Sequence, residues 1–161
     1  MDVVCNTVTN GCFARLANTT DKLDIFFWRN DPITCKNSMT SRNVSWNEHS
    51  KWFEKMQKSN SNYLIICSSL SGSSIGLVRF SKNRSNAKIS INIAPEKRGK
   101  RLGQACLKSS EILFSKLEPK VKLLVADVKK SNIVSQNLFT KMGFELAFEH
   151  SDIYTFQKSI G

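Results

Sequence analysis

The spacing of hydrophobic residues changes along the chain, between steps of two, typical of strands, and steps of three and four, typical of helices. In the segment 88–93, Ser90 and Asn92 alternate with isoleucines, so one face of a strand is apolar and the other polar. A helical spacing follows shortly after, with Leu102, Cys106, Ser109, Leu113 and Leu117 on one face. These patterns predict a strand and a helix joined by a short loop.

The same spacings predict the order β-α-α-β-β-β-α-β-α-β-β. Predicted strands cover 13–16, 63–67, 75–80, 88–93, 121–128, about 145–148 and 153–157. Predicted helices cover about 20–29, 46–58, 102–117 and 132–142, and residues 33–44 are predicted to be a loop. An α/β fold, with a mixed sheet and helices on both faces, follows from this order.

Polar residues and glycine mark the expected ends of these helices. Thr19 or Thr20 is expected to cap the first helix, and Ser45 with Glu48 has the form of a capping box for the second. Ser131 is expected to cap the last helix, and Gly143 to end it in a left-handed conformation.

Length and composition indicate one folded domain. The chain has 161 residues, 40% of them hydrophobic, and we expect a flexible N-terminus at 1–11 and a single domain at 12–161. No apolar run reaches the roughly 20 residues of a membrane span, and we see no signal peptide. The five cysteines are scattered without a C-x-x-C pair, so we expect no metal, no disulfide framework and a reducing, cytoplasmic location.

The charge adds an expectation about partners. Lys and Arg total 24 against 13 acidic residues, for a net charge of +11, which favours anionic partners. Nucleic acid, a polyphosphate cofactor and a phosphorylated substrate all qualify. Basic residues are spread along the chain rather than gathered in one arm, which makes nucleic acid the weaker candidate. The densest cluster brackets a glycine and consists of Lys97, Arg98, Lys100 and Arg101.

The segment 91–105 combines a strand, a basic glycine-bearing loop and a helix start. The first amides of a helix have no partner within it and carry partial positive charge, so they can bind phosphate. Glycines let the backbone approach such a ligand. A plain surface loop with solvated charges and two turn glycines, Gly99 and Gly103, explains the segment equally well on physical grounds alone.

Two motifs resemble those of the GCN5-related N-acetyltransferase (GNAT) superfamily. The first is Arg or Gln, two residues, Gly, one residue, then Gly or Ala, and Arg98, Arg101 and Gly103 hold its three positions. Arg101 therefore departs from the family's glycine. The second is an Asn that begins the helix after the fifth strand, with a Gly-Phe pair at the end of that helix, here Asn132 and Gly143–Phe144.

The resemblance implies a splayed mixed β-sheet of six to seven strands, with the pantetheine arm of acetyl-coenzyme A (acetyl-CoA) in the gap between the fourth and fifth strands. Backbone groups of the fourth strand pair with that arm, and amides of the loop hold the pyrophosphate. The implied cofactor-binding residues are Ile91, Ile93, Arg98, Gly99, Lys100, Arg101, Leu102, Gly103, Gln104, Ala105, Asn132, Ser135 and Phe139.

The first half of the chain resembles a subgroup, the acetyltransferases that modify nucleotide-linked amino sugars in pseudaminic acid synthesis. The residues that carry this resemblance are Trp28-Arg29-Asn30-Asp31, Arg42-x-x-Ser45 and His49-x-x-Trp52-Phe53. Related patterns occur in enzymes that act on ribosomal protein N-termini and on aminoglycosides. The resemblance implies a substrate site that includes Arg29, Asn30, Arg42 and Trp46.

The acid and the base of the implied reaction are not evident. The family often has a tyrosine acid seven residues after the helix-starting Asn, where this chain has Phe139, so Ser135 or water remains as the proton donor. For the base, Asn92 can position a water, and His49 has a suitable ordinary pKa. His49 also lies on the apolar face of a capped helix, where a structural histidine bonded to backbone is the alternative.

The sequence therefore predicts direct acetyl transfer from acetyl-CoA to a primary amine in a ternary complex. The expected partner is a small-molecule amine, with a phosphorylated or nucleotide-linked amine among the candidates, and the expected state is a monomer or homodimer. Two alternatives stay open: a protein or peptide N-terminal acetyltransferase, and a non-catalytic coenzyme A sensor or nucleic-acid-associated module.

Overall fold

The structure is a computed structural model that describes residues 7–161. Its strands are β1 (Thr7–Thr9), β2 (Cys12–Leu16), β3 (Asn62–Ser69), β4 (Ser74–Asn83), β5 (Asn86–Ile93), β6 (Leu123–Lys129), β7 (Glu145–His150) and β8 (Ile153–Ser159). Its α-helices are α1 (Lys22–Asn30), α2 (Pro32–Asn37), α3 (Trp46–Lys58), α4 (Leu102–Leu117) and α5 (Ile133–Lys141). No helix within this range is both long enough and apolar enough for a membrane crossing.

All strands belong to one eight-stranded sheet in the order β1-β2-β3-β4-β5-β6-β8-β7. Every neighbouring pair is antiparallel except β5 and β6, which are parallel. The parallel pair is short, because its register ends where Lys88 meets Val125. Beyond that point the two strands separate, and the predicted splayed mixed sheet is confirmed.

Helices cover both faces of the sheet, as predicted. On one face α4 and α5 pack over a core that includes Val78, Phe80 and Phe114, and the rings of Phe80 and Phe114 are stacked with centroids 4.1 Å apart. On the other face α1 and α3 pack over a second cluster that includes Ile66 and Phe53. Successive side chains of the central strands point to opposite faces of the sheet, so each face is covered by alternate residues.

The sequence-based boundaries differ from the structure in the segment predicted to be a loop, 33–44. Its first part belongs to α2, where Pro32 occupies the first helical turn and the Asp31 carboxylate accepts the N–H groups of Ile33 and Thr34. The Asp-Pro pair that ends α1 therefore also begins a second helix, because proline is tolerated at the first position of a helix. The predicted loop is wrong for these residues.

Two predicted helix caps are also wrong. Asn18 caps the 3₁₀ turn that leads into α1, in place of Thr19 or Thr20. Asn132 caps α5 in place of Ser131, since its side-chain oxygen accepts the N–H of Ser135. The predicted capping box at the start of α3 is confirmed, and so is the left-handed Gly143, which has a φ of 88°.

The sheet also has one more strand than the six to seven that were predicted. The additional strand is β1, which pairs with β2 and lies within the segment 1–11 that was predicted to be flexible. The rest of that prediction falls on residues 1–6, outside the described residues. The strand predicted to begin at Val121 begins two residues later, at Leu123, although Val121 is buried.

Candidate active site

The site is built around the gap between β5 and β6. After Lys88, β5 continues to Ile93 and hydrogen-bonds only to β4 among the described strands. Backbone groups from Ile89 to Ile93 therefore face the gap as an open strand edge. Such an edge can bind an extended amide-bearing chain as if it were an added strand. Ile91 and Ile93, predicted to pair with the pantetheine arm, lie along this edge.

The N-terminus of α4 lies beyond the end of β5 and differs from the other helix starts near the site. Side chains of Asp31, Ser45 and Asn132 cap α2, α3 and α5. The N-cap residue of α4 is Arg101, whose side chain makes no cap hydrogen bond. The first amides of α4 therefore have no side-chain partner, and an anion can accept their hydrogen bonds.

The loop before α4 takes two left-handed turns. Gly99 has a φ of 71° and Arg101 a φ of 59°. A left-handed φ disfavours residues with a Cβ, which gives a physical reason for the glycine that the GNAT motif has at the position of Arg101. This chain keeps the backbone conformation with an arginine. The exposed side chains of Lys100 and Arg101 add positive charge beside the free amides.

Arg98 does not have the free guanidinium expected of a phosphate ligand. It donates to the Asp31 carboxylate at 2.6 Å and to the Thr34 hydroxyl at 2.7 Å, so it joins the loop to the start of α2. The Thr34 hydroxyl in turn donates to the side-chain oxygen of Asn92 at 3.1 Å. Although desolvation favours the neutral acid, the bond from Arg98 and the amides of α2 hold the pKa of Asp31 below its usual range.

Gly103 has a packing role that the sequence did not indicate. A Cβ built on it lies 3.0 Å from a methyl group of Leu138 on α5. The absence of a side chain therefore lets α4 approach α5 closely. Leu102 and Ala105 pack against the adjacent core, whereas Gln104 is exposed.

The start of α5 follows β6, the other strand of the gap. The Asn132 amide caps this helix and donates to the Ser135 hydroxyl at 3.0 Å, and both residues are half-buried. Phe139 was predicted to contact the cofactor, and the structure contradicts this. Its ring is 3% exposed and packs edge-on against Phe144, with centroids 5.0 Å apart, in the core beneath the helix.

A polar face lies on the side of the gap away from α4, and sequence reasoning missed its main carboxylate. Asp127 on β6 accepts from the Thr155 hydroxyl at 2.7 Å and from the Lys88 ammonium at 3.0 Å. Although desolvation opposes ionisation, these two partners lower the pKa of Asp127. Asp127 lies between Ala126 and Val128, which are buried, so its side chain is on the other face of β6. A carboxylate in an alternating strand was the sequence signal that could have indicated a polar face here.

A cavity of about 360 Å³ adjoins Lys88 on this face, next to the last pair of the β5–β6 register. Its lining residues are Ser81, Asn83, Asn86, Ala87, Lys88 and Val125.

Helix α2 connects the two separated strands. On the β5 side it is held by the Arg98, Thr34 and Asn92 contacts given above. On the β6 side the Lys129 ammonium donates to the carbonyl oxygen of Lys36, the residue before the end of α2, at 2.9 Å. Helix α2 therefore lies across the opening on the polar face.

His49 lies in the buried interface between α1 and α3. It is 3% exposed, and its Nε2 lies 2.8 Å from the carbonyl oxygen of Lys22. Burial lowers its pKa, which keeps the ring neutral and its Nε2 a donor to that carbonyl. The structure therefore agrees with the structural alternative, and the prediction of His49 as a base is wrong.

The residues predicted to bind substrate have local partners. Arg29 donates to the carbonyl of Arg42 at 3.0 Å, and the Asn30 amide bonds both backbone groups of Val44. These contacts hold the α2–α3 loop against α1 and give Arg29 and Asn30 a structural role, and substrate contact by these two half-buried residues remains a prediction. Arg42 pairs with Glu48, and its side chain stays 60% exposed.

Trp46, the remaining predicted substrate residue, belongs to an aromatic cluster at the start of α3. Its ring lies edge-on to Phe26, with centroids 5.2 Å apart, and the Lys22 ammonium is 5.3 Å from its centroid. The residue is 45% exposed. Substrate contact by Arg42 and Trp46 remains a prediction.

Comparison with known proteins identifies the family. A family model for the acetyltransferase (GNAT) domain matches residues 13–145. No curated protein sequence matches the chain.

Solved structures share the fold. A spermidine N-acetyltransferase from Vibrio cholerae, in complex with CoA and spermine, has a TM-score of 0.80 at 18% identity, over 94% of this chain and 96% of that one. The N-acetyltransferase PseH from Campylobacter jejuni has a TM-score of 0.70 at 20% identity, over 94% and 99%. A domain from Methanocaldococcus jannaschii DSM 2661 has a TM-score of 0.76 at 22% identity, over 92% and 98%. The chain belongs to the GNAT acetyltransferase family.

Proposed function

We propose that the chain is an N-acetyltransferase that transfers the acetyl group of acetyl-CoA to a primary amine of a small molecule. The observation that carries this proposal is the uncapped start of α4 at the mouth of the β5–β6 gap, beside Lys100 and Arg101. Free amides and cations suit a pyrophosphate. The open edge of β5 suits the amide-bearing pantetheine arm.

Acetyl-CoA supplies a thioester carbonyl that an uncharged amine can attack directly. The enzyme then has to orient the amine, accept its proton and exclude competing water. Asp127 is the ionised carboxylate on the polar face of the gap, and it can hold the acceptor's ammonium in place of Lys88. Asn92 can position a water that carries the proton away. With Phe139 buried, Ser135 or water remains to protonate the departing thiolate.

The acceptor that we favour is an amine that also carries an anionic group, such as a nucleotide-linked amino sugar. The net charge of +11 favours such a molecule and disfavours a polyamine such as spermidine, on which one structural relative acts. Lys88 and Lys129 lie on the polar face, and the side chain of Arg42 is largely exposed. A reducing, cytoplasmic environment is consistent with the free thiols of the described cysteines.

A non-catalytic coenzyme A sensor is the second candidate. It is favoured by the burial of Phe139 at the position where an acid is usual in the family, and by the pairing of both nearby carboxylates, Asp31 and Asp127. Such a protein binds acetyl-CoA with the same loop but releases no free CoA in the presence of amines.

Two measurements, made one after the other, test the proposal. Acetyl-CoA binding, measured by calorimetry and by the shift in melting temperature, should be weakened about tenfold by Arg101→Glu, a change of about 1.4 kcal/mol. Lys108→Glu is the matched control, because Lys108 is an exposed cation of the same helix, well beyond its first turn. Equal loss in both variants would contradict the placement of the pyrophosphate.

Release of free thiol then separates catalysis from sensing. The panel should include a nucleotide-linked amino sugar, an aminoglycoside, spermidine and a peptide with a free N-terminus. We expect the fastest release with the nucleotide-linked amine. Binding without release for any amine would favour the sensor, and a preference for the peptide would favour an N-terminal acetyltransferase.

A further inference from the structure

Three cysteine thiols meet in the core beneath α4, away from the candidate active site. Cys12 comes from β2, Cys67 from β3 and Cys106 from α4, and each is at most 1% exposed. Their three sulfur atoms all lie within 4.8 Å of one another, and those of Cys12 and Cys106 are 3.9 Å apart. We refer to these residues as the thiol triad.

The surroundings of the triad are apolar and uncharged. Its neighbours belong to the main core, and the polar groups that reach the sulfurs are uncharged. The Ser109 hydroxyl lies 3.4 Å from the sulfur of Cys12 and the Ser110 hydroxyl 3.2 Å from that of Cys67, and the Cys67 thiol donates to the carbonyl oxygen of Cys106 at 3.6 Å. Within residues 7–161, no hydrogen bond or ion pair brings a lysine or arginine to these sulfurs. Three convergent sulfur atoms form a site for a thiophilic, three-coordinate centre.

Because no charged side chain lies at the sulfurs to balance a net charge, the charge of the bound complex determines which centre fits the site. A divalent ion on three thiolates has a net charge of −1, and a monovalent copper ion on three thiolates has −2. A buried charge without a partner is strongly unfavourable. A trivalent centre bound to three thiolates is neutral, so it can occupy the apolar core without a counter-ion.

We propose that the thiol triad binds trivalent arsenic, delivered as arsenous acid. The reaction is As(OH)₃ + 3 RSH → As(SR)₃ + 3 H₂O. Three As–O bonds break and three As–S bonds form, and each thiol proton leaves with a hydroxide as water. No electron is transferred, no charge is created, and no other reactant is needed.

Binding would join two neighbouring strands and the helix that packs on them at one atom. The folded chain already holds the three sulfurs together, so it should bind arsenic more tightly than the unfolded chain and be stabilised by it. Because the sulfurs are buried, the reagent enters through local opening of the core, and binding is slow compared with diffusion. Neutral arsenous acid enters such a core at a lower desolvation cost than a hydrated metal ion.

The test is long incubation of the reduced, folded protein with arsenite, followed by removal of excess reagent. We expect one arsenic per chain by mass spectrometry, three sulfur neighbours and no oxygen by X-ray absorption, and a higher melting temperature. Cys12→Ala, Cys67→Ala and Cys106→Ala should each lose both the tightly bound arsenic and the shift. Cys35→Ala is the matched control, since Cys35 is also buried but lies on α2, outside the triad.

Several outcomes would overturn the proposal: no arsenic retained by the folded protein, arsenic with oxygen neighbours, or a lowered melting temperature. Retention of both effects in any triad alanine variant would also overturn it. Incubation with cadmium ions tests the charge argument. If the triad binds cadmium but retains no arsenic, the argument that the core favours a neutral complex is wrong. If an alanine variant does not fold, the absorption spectrum of the wild-type adduct still decides the number of sulfur neighbours.

Discussion

The guanidinium of Arg98 donates to the carboxylate of Asp31 at 2.6 Å and joins the loop before α4 to the start of α2. Both side chains are mostly buried, at 26% and 17% exposure. A pair shielded from solvent in this way is stronger than an exposed ion pair. The contact therefore makes the geometry of the candidate coenzyme loop dependent on the helix that lies over the polar face.

We expect this pair to show strong energetic coupling. A double-mutant cycle with Arg98→Met and Asp31→Asn should give a coupling free energy of about 1–3 kcal/mol in urea unfolding. Asparagine is chosen because it caps a helix as well as aspartate, so the start of α2 is preserved. The exposed pair Arg42–Glu48 is the control, and it should show much weaker coupling because solvent screens its charges. Equal coupling for both pairs would contradict the prediction.

Arg101 has a left-handed backbone conformation that glycine adopts without strain. Arg101→Gly should raise the free energy of unfolding by about 0.5–1 kcal/mol, because relief of the strain exceeds the added flexibility of the unfolded chain. Arg101→Ala keeps the strain and should give no gain. Lys100→Gly is the matched control, because Lys100 is not left-handed, and this variant should be less stable than wild type. Urea midpoints distinguish the three, and a gain from Lys100→Gly would contradict the explanation.

Gly103 lies against Leu138, so a larger residue should separate α4 from α5. Gly103→Val should lower the free energy of unfolding by about 1–3 kcal/mol through overpacking. Leu138→Ala in the same chain should restore part of that loss by making room. The measurement is denaturant unfolding of the single and double variants. Additive losses would show that the two residues do not compete for the same space.

The buried imidazole of His49 predicts a loss of stability in mild acid. Its pKa is lowered in the folded chain, so the unfolded chain takes up the proton first. The stabilisation is complete above the unfolded value of about 6.5 and is lost as the pH falls below it toward the folded value. Urea midpoints between pH 7.5 and 5 should fall in wild type and fall less in His49→Gln. His150→Gln, an exposed position on β7, should keep the wild-type dependence.

We expect Asp127 to contribute to acetyl transfer but not to the affinity for acetyl-CoA. Asp127→Asn is expected to lower kcat/KM at least about tenfold, equivalent to about 1.4 kcal/mol, with an unchanged Kd for acetyl-CoA. Thr155→Val should cause a smaller loss, because the hydroxyl only orients the carboxylate. Asp152→Asn is the control, since Asp152 is exposed in the turn before β8. An unchanged kcat/KM in Asp127→Asn would remove this residue from the proposed site.

Periodic segments allowed most of the fold to be predicted from the sequence. The alternation in 88–93 and the apolar face of 102–117 depend only on local spacing, and both elements occur where expected. The start of α2 could not be predicted in this way, because Asn30-Asp31-Pro32 is a signal both for the end of one helix and for the start of another. The partner that favours α2 is Arg98, far away in the chain.

The site was only partly predictable, because it too depends on residues that are distant in the sequence. The loop before α4 is a local feature, and its position agrees with the structure. Whether a side chain on it is free depends on distant residues, and Arg98 is bound whereas Lys100 and Arg101 are exposed. His49 and Phe139 have residue types suited to contact with ligands, and only the packing of neighbouring elements shows that they are buried.

The position of α2 across the separated strands has a consequence for kinetics. The β5–β6 pairing ends at Lys88 and Val125, and α2 bonds residues of both strands, so the slot between them is formed without a ligand. Entry of a polyanionic ligand then requires no rearrangement, so association should follow a single exponential with a rate proportional to ligand concentration. With a net charge of +11 on the protein, that rate should decrease steeply as ionic strength rises.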